Sequence, residues 1–447
     1  MLFTTDQQTL DDLNIFGKHG SDSVYQIFNH TNTRGGAALL EEMFRYPLSD
    51  HEAINRRSGI FGHFAAKLTA FPFAAADFDA AELYLDNTDE RTRLSAQEHS
   101  VGQKISNMIA ADVTTVAIHN GITALVAILK GMKDFIASVD IPTGHPYAYD
   151  KNAIAKLLSE DGLASVFALP AKGKINQASY TEFDTQLRFR YPELIRKILR
   201  YCYELDVYIA VAKIALVRNF VFPQALPQNQ HRLSLREVSH PQVKNAIANT
   251  IEADPNSNVI FLTGANMAGK STFMKSVTIA LYLAHMGFPV AASGMEFSVL
   301  DGIYTTINLP DDLGMGASHF YAEVLRAKKV ANELISKKLF IVFDELFRGT
   351  NVKDACEATI AFTEAFAKKR SSMFVISTHI IEAGEVLKDR CSNIKFVYLP
   401  TKMNGTAPVY TYKLEKGLTA DRHGMIIINN EGILEILQAG LSKHNKL

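Results

Sequence analysis

The 447-residue sequence has only three cysteines, no appreciable excess of either charge, no internal repeat and no low-complexity tract. Cys202, Cys356 and Cys391 lie far apart, without metal-ligand spacing, which fits buried thiols in a reducing compartment and argues against a disulfide framework. Lys plus Arg number 46 against 47 Asp plus Glu, a net charge of −1. Any contact with a polyanion therefore has to come from a local patch. The N-terminus, MLFTTDQQTLDDLNIF, is acidic and polar where a secretory signal would be basic and then apolar. The most apolar run, residues 277–292, is broken by His285, Gly287 and Pro289 and is shorter than a bilayer requires. These absences point to the cytoplasm and to no membrane partner.

What is present is ample material for a core, 47% hydrophobic residues, in a chain long enough for two or three domains. Residues 37–44, 49–64, 101–139 and 182–218 carry apolar residues at three- and four-residue spacing and read as helices. In the third, Ile105, Met108, Ile109, Val113, Val116, Ile122, Leu125 and Leu129 make one stripe. Pro and Gly gather in DIPTGHPYAYD (140–150) and LPAKGK (169–174), as turning regions between long helices, so an arm that runs out and returns is expected. The prolines and amides of FVFPQALPQNQ (220–230) mark a boundary. After it, short apolar runs, NVIFLTG, KLFIVFDE and SMFVISTH, alternate with helical segments, the pattern of a mostly parallel sheet covered on both faces. The expected architecture is α/β plus all-α: a helical core and shortened lever over 1–225, then a P-loop ABC-type ATPase domain over 226–447 ending in a dimerisation segment.

GANMAGKST fits G-x-x-x-x-G-K-[ST], the phosphate-cradling loop. Four fixed positions occur by accident in roughly one chain in fifty of this length, so its surroundings decide. A strand precedes it and a helix follows it. Gly264, Ala265, Asn266, Met267, Ala268 and Gly269 would form the loop, whose N–H groups and helix start face phosphates. Lys270 would reach the β- and γ-phosphates and the Ser271 hydroxyl would sit on Mg²⁺, with Thr272 beside it. The apolar strand LFIVFDE then delivers Asp344 to the metal, and Glu345 stands where it could deprotonate a water. VISTH brings His379 to the same strand edge as a candidate γ-phosphate sensor. Adjacent acids more often just end a strand, and a lone histidine is more often structural; it is the common edge that makes these candidates. Between the glycine loop and the acidic strand, DDLGMGASHFYAEV offers Ser318 ahead of a helix, either a cap or a second anion site of the kind ABC-type ATPases present to a partner's nucleotide.

The chain resembles the MutS family of DNA mismatch repair ATPases. TGANMAGKST is similar to the family's TGPNMxGKST, DDLGMGASHFYAEV to DDLxxGxSTFxxEM, FDELFRGTN to DExGRGTS, and STH to [AS]TH. Upstream, ELDVYIAVAKIA and EVSHPQV resemble the approach to the family's ATPase. FNHTNTRGGAALLEEMFRYPLSDHEAINRR resembles the start of its helical core. The resemblance implies ATP and Mg²⁺, with Lys270, Ser271 and Thr272 on phosphates and metal, Asn266 near the γ-phosphate, Asp344 on Mg²⁺, Glu345 as general base and His379 as switch. It implies that Ser318 reaches the other subunit's nucleotide across a homodimer, with Gly349 and Thr350 lining that interface. Ala265 stands where the pattern has proline, His319 where it has threonine, and Ala246 or Ile247 where an aromatic often stacks on adenine. The likeness begins almost at the first residue, so no mismatch-reading or connector domain is expected.

Two functions follow from the resemblance. The first is an ATP-dependent DNA-binding protein for mismatch repair or for branched and recombination DNA, with Lys172, Lys174, Arg188, Arg190, Arg196, Lys197 and Arg200 as candidate phosphate contacts and repair proteins as further partners. The second is a nucleotide-switched module that pairs with another protein and does not itself bind DNA.

Overall fold

The computed structural model describes residues 3–17, 22–94, 108–170, 175–307, 319–347, 349–404, 407–419, 432–433 and 435–436. Ser318, Lys172, Lys174 and most of the C-terminal segment assigned to dimerisation lie outside the described residues. In chain order the helices are α1 (Gln7–Asp12), α2 (Val24–Phe28), α3 (Arg34–Arg45), α4 (His51–Lys67), α5 (Ala75–Asp86), α6 (Met108–Ser138), α7 (Tyr147–Leu158), α8 (Ala164–Ala168), α9 (Gln177–Asp184), α10 (Pro192–Arg218), α11 (Lys270–His285), α12 (His319–Glu333), α13 (Val352–Ala367) and α14 (Ile381–Arg390). The strands are β1 (Gln224–Leu226), β2 (Leu233–Val238), β3 (Asn249–Ala253), β4 (Val259–Gly264), β5 (Gly294–Ser298), β6 (Gly302–Thr306), β7 (Leu339–Asp344), β8 (Met373–Ser377), β9 (Ile394–Leu399), β10 (Thr401–Asn404), β11 (Ala407–Tyr410) and β12 (Glu415–Lys416). Helix and sheet are thus both present, and among the described residues the named strands all fall in the second half.

The chain divides into two compact units, 28–45 with 59–216, and 1–27 with 46–58 and 217–447. The change of composition near residue 220 marks one of these joins. The inclusion of two N-terminal pieces in the second unit left no signal in composition.

The helical unit is built on α5, α6 and α10. Gly121 lets α6 approach α5 closely, since a Cβ there would lie 2.2 Å from Tyr84 Cβ. The apolar stripe of α6 is buried from Ile118 onward, whereas Val113 and Val116 are exposed. By length and composition 113–138 could cross a membrane, an outcome the sequence reading did not foresee; yet Ile122, Leu125, Ile128, Leu129 and Met132 are buried in the unit's own core. Residues 182–218 are not one helix: a π-turn at Thr185–Arg190 and Tyr191, at φ −128°, break it before α10. The cause is Pro192, which disfavours helical geometry at the residue before it. Likewise Tyr147 already opens α7 inside the proline and glycine cluster.

The buried carboxylate of Asp206 on α10 accepts from the backbone N–H groups of Asn32 and Thr33 and from the Thr33 hydroxyl, at 2.8–3.0 Å. It thereby fixes the residues that enter α3, whose first turn is capped by Thr33, its Oγ1 accepting from Gly36 N–H at 2.9 Å. A Cβ at Gly36 would sit 2.5 Å from Asp206 Oδ2, so the glycine in NTRGG is required by that approach.

In the other unit a six-stranded sheet runs β12-β9-β4-β8-β7-β6, parallel throughout except for β12. Strands β4, β6 and β8 are buried along their whole length and β7 up to its last residue, as expected of a parallel sheet covered on both faces. Phe343, Phe366 and Phe374 stack between β7, α13 and β8, with centroids 5.8 and 4.8 Å apart. The chain passes from β8 to β9 by stepping over β4, so β4 ends in a crevice between strands that continue in different directions, where ligands of such sheets bind. A second sheet, β1-β5-β2-β3, and the large one both contribute to the burial of α11, which is buried over most of its circumference.

The first N-terminal piece is laced onto β6 and α12. Thr4 bridges to Gly302, Thr9 Oγ1 accepts from Thr305 N–H at 3.0 Å, and Asp12 accepts from the Thr305 hydroxyl and Ile307 N–H. Asp6 pairs with Arg326 and, at 2.7 Å, with Lys329.

Candidate functional site

Strand β4 hands the chain to a loop whose shape depends on glycine at two places. Gly264 has φ +149°, and Gly269, the residue before α11, has φ +98°. Between them Ala268 N–H closes a turn on Ala265 O at 3.2 Å. Met267, at φ +68°, is 77% exposed and Asn266 is also exposed at the tip. Helix α11 then starts at Lys270, and the N–H groups of a first helical turn, with the helix dipole, favour an anion in front of it. Ala265 takes up the loop geometry without the proline of the family pattern.

The side chains predicted from sequence converge on this loop. Lys270 is buried and its ammonium donates to Gly264 O and Ala265 O at 3.0 and 3.2 Å. Burial pushes its pKa down, and the carboxylates of Glu345 and Asp344 oppose that shift. The Ser271 hydroxyl donates to Asp344 Oδ2 at 2.5 Å, joining the first turn of α11 to the end of β7. Ser377, fully buried on β8, donates to the other oxygen, Asp344 Oδ1, at 2.8 Å. Sequence reasoning did not single out Ser377; the signal was its place two residues before His379 on a strand paired with β7. Glu345 follows Asp344 in a left-handed conformation, φ +54°, which turns its carboxyl back across the strand ends. There His379 Nε2 lies 2.5 Å from Glu345 Oε1. The two side chains are thus joined directly by a hydrogen bond across the strand ends.

Other predicted positions are less central. Thr272 is exposed on the first turn of α11. Gly349 follows the acidic turn, and a Cβ there would lie 2.6 Å from Phe320 N, so glycine allows the start of α12 to approach. Thr350 precedes Asn351, which caps α13 through a bond from Asp354 N–H at 2.9 Å. Nothing about Ser318 can be placed, since it lies outside the described residues.

Beside the loop is a cleft of about 360 Å³, between the turn after β2 and the start of α11. Ala246 and Ile247 line it, as expected, without an aromatic ring. A ring is nevertheless there: Tyr412 covers Gly269, where a Cβ would lie 2.9 Å from its Cδ1. Asn249 fixes the turn that carries it, donating to Tyr412 O at 2.9 Å and accepting from Leu414 N–H at 2.8 Å. His240 stands on the same wall, its Nδ1 accepting from Gln242 N–H at 3.3 Å. Burial, with Lys275 nearby, pushes its pKa down to about 4, so it is neutral at pH 7. Sequence reasoning missed Tyr412 because it lies some 140 residues beyond the loop it covers.

These features define an α/β protein in which a glycine loop opens a helix at the carboxyl edge of a parallel sheet, with a lysine and two carboxylates converging on it. Residues 260–447 match the family model of MutS domain V. The DNA mismatch repair protein MutS of Fusobacterium nucleatum is 29% identical over 287 residues, 62% of this chain and 31% of that protein. The protein of the same name from Staphylococcus haemolyticus is 30% identical over 264 residues, 57% of this chain and 29% of that one. By these matches residues 260–447 are similar to domain V of the MutS family, and more than half of the chain is similar to MutS proteins. The matched region spans less than a third of the length of these curated relatives.

Proposed function

We propose that the unit containing β4 and α11 is a P-loop ATPase domain of ABC type that binds ATP with Mg²⁺ and hydrolyses it. The convergence of Lys270, Ser271, Asp344, Glu345 and His379 on one glycine loop supports this reading most directly. The loop N–H groups and Lys270 would hold the phosphates. The ammonium, now on two carbonyls, would move a short way onto phosphate oxygens of greater charge. The base would lie in the cleft against Tyr412, with the neutral imidazole of His240 beside it.

Ser271 and Asp344 fit Mg²⁺ well: two hard oxygen donors leave room for water and phosphate oxygens, the usual environment of that ion. Among the described residues no cluster of three or more His, Cys, Asp or Glu could hold a metal alone, consistent with a cation that arrives with the nucleotide. Bound there, Mg²⁺ would neutralise phosphate charge. Glu345 would orient and deprotonate the attacking water, and His379 would hold that carboxylate or release it to face the γ-phosphate. Asn266, at the loop tip, would face the same water. Ser318 would complete the site across a homodimer.

The partner proposed for the nucleotide cycle is DNA, as the names of the relatives suggest, in mismatch repair or on branched DNA in the cytoplasm, with repair proteins as further partners. The helical unit weakens one part of this proposal. Arg188 is fully buried and paired with Asp184 at 2.8 Å, so it is not available to DNA. Arg200 lies near Glu42 and Glu204, and Arg196 near Asp86. Of the described candidates Arg190 and Lys197 keep exposed charge without an acidic partner in that set. This pairing favours keeping the second reading, a nucleotide-switched module that binds another protein and not DNA.

Two measurements on the full chain test these readings. Mg²⁺-dependent release of phosphate from ATP is expected; its absence, with the fold intact, would sink the first. A titration with homoduplex, mismatched and branched DNA at rising salt, with and without ATP, separates the two partners, because phosphate neutralisation makes affinity fall steeply with salt. No binding at low salt by an active ATPase selects the protein-binding module.

A further inference from the structure

Asp344 is held on both oxygens by serine hydroxyls that come from different elements, Ser271 on α11 and Ser377 on β8. The two differ in kind. Ser271 lies on the glycine-loop side, half-buried, where its hydroxyl can turn. Ser377 is fully enclosed and sits opposite Asp344 in the β7–β8 register. Its backbone carbonyl accepts from Glu345 N–H at 2.9 Å, while its side chain holds Asp344. One residue thus fixes the carboxylate of Asp344 and the backbone of Glu345, at the position where the chain takes its left-handed turn.

We infer that Ser377 is a positioning residue for the metal-facing carboxylate: by occupying Oδ1 of Asp344 it leaves Oδ2 aimed at Ser271 and so sets the affinity of the nucleotide site for Mg²⁺. The inference rests on the proposed Mg²⁺-ATP site and deepens it. Free rotation of a carboxylate about its terminal torsion is broad and roughly two-fold. A buried hydroxyl on one oxygen removes that freedom before any metal arrives, and outer-shell partners of this kind typically change metal affinity by about 10- to 100-fold when lost. The low end applies here, because Ser271 would still restrain Oδ2.

The test is calorimetric titration of ATP into the full-length protein at several Mg²⁺ concentrations and in EDTA, for the wild type, Ser377→Ala, Ser377→Thr and Asp344→Asn. For Ser377→Ala the expected result is ATP affinity in EDTA within about twofold of the wild type, with about tenfold more Mg²⁺ needed for half-maximal tightening. Ser377→Thr, which keeps the hydroxyl, should return toward the wild-type Mg²⁺ dependence, and Asp344→Asn should lose it. An unchanged Mg²⁺ response in Ser377→Ala overturns the inference, as does an equal loss of ATP affinity with and without Mg²⁺, which marks a merely structural role. A wild type whose ATP binding ignores Mg²⁺ overturns the parent reading instead, and the two failures are distinct.

Discussion

His379 Nε2 and Glu345 Oε1 lie 2.5 Å apart, across the ends of β8 and β7, so the imidazole holds the one carboxylate that the left-handed turn frees from the sheet. The pair explains why the acid following Asp344 is not simply a solvated strand end.

If Glu345 is the general base, Glu345→Ala should bind ATP as the wild type does and hydrolyse it about 10²- to 10⁴-fold more slowly. Lys270→Ala should fail at the earlier step, losing nucleotide binding itself. Single-turnover hydrolysis with equilibrium binding on the same preparations separates the two. Hydrolysis at the wild-type rate by Glu345→Ala would remove that residue from the chemistry.

Tyr412 makes a second separation possible. Stacking of a base on an aromatic ring contributes about 1–3 kcal/mol, so Tyr412→Ala should weaken ATP by about 5- to 150-fold, whereas Tyr412→Phe should stay near the wild type. A triphosphate without a base should bind both variants alike, because the glycine loop is untouched. Titration with ATP and with inorganic triphosphate checks both statements, and equal ATP affinity in Tyr412→Ala would show that the cleft beside Gly269 does not receive the base.

The contrast between Glu345 and Tyr412 shows where the sequence was readable. The glycine loop, the acidic strand and His379 each sit on a short element whose chemistry is local, and the parallel sheet brings their ends together by rule. Tyr412 and Ser377 depend on which strand lies beside which, and no spacing in the sequence records that β8 pairs with both β4 and β7. For the same reason the attachment of residues 3–12 to β6 was invisible: its carriers, Thr4, Asp6, Thr9 and Asp12, are ordinary polar residues near an N-terminus until their partners some 300 positions later are known. Arg188 fails in the opposite direction. An arginine beside Arg190 in a helical stretch reads as a basic face, but the π-turn before Pro192 rotates it inward against Asp184.

That rotation gives Arg188 a structural task. Its guanidinium bonds Asp184 at 2.8 Å, the Thr92 hydroxyl at 3.0 Å and the Thr92 and Asn87 carbonyls at 3.2 Å, while Asp184 also accepts from the Tyr84 hydroxyl and from Leu94 N–H. Arg188→Ala leaves the buried carboxylate unpaired and should cost about 3–5 kcal/mol of stability. Lys197→Ala, on the exposed side of α10, should change it by no more than about 0.5 kcal/mol. Chemical denaturation followed by circular dichroism measures both; comparable small losses would mean that Arg188 is not the keystone of that connection.

The N-terminal clasp carries a pH dependence with a definite sign. Burial of Asp6 alone would raise its pKa, but hydrogen bonds from Arg326 and Lys329 overcome that and hold the carboxyl well below its ordinary value of 3.8. A group whose folded pKa is depressed contributes stability that is present above its unfolded pKa and is lost as pH falls toward the folded one. Asp6→Asn isolates this charge, because asparagine still caps α1, where Asp6 accepts from Thr9 N–H at 3.1 Å. The wild type should therefore hold residues 3–12 more firmly than the variant at pH 7, and the gap should narrow as pH drops below about 4. Limited proteolysis of the N-terminal segment, or hydrogen exchange at Thr305 and Ile307, whose N–H groups are bonded by Thr9 and Asp12, reads that gap directly. A difference that stays constant down to pH 2 would show that the Asp6 charge does not fasten the segment to α12.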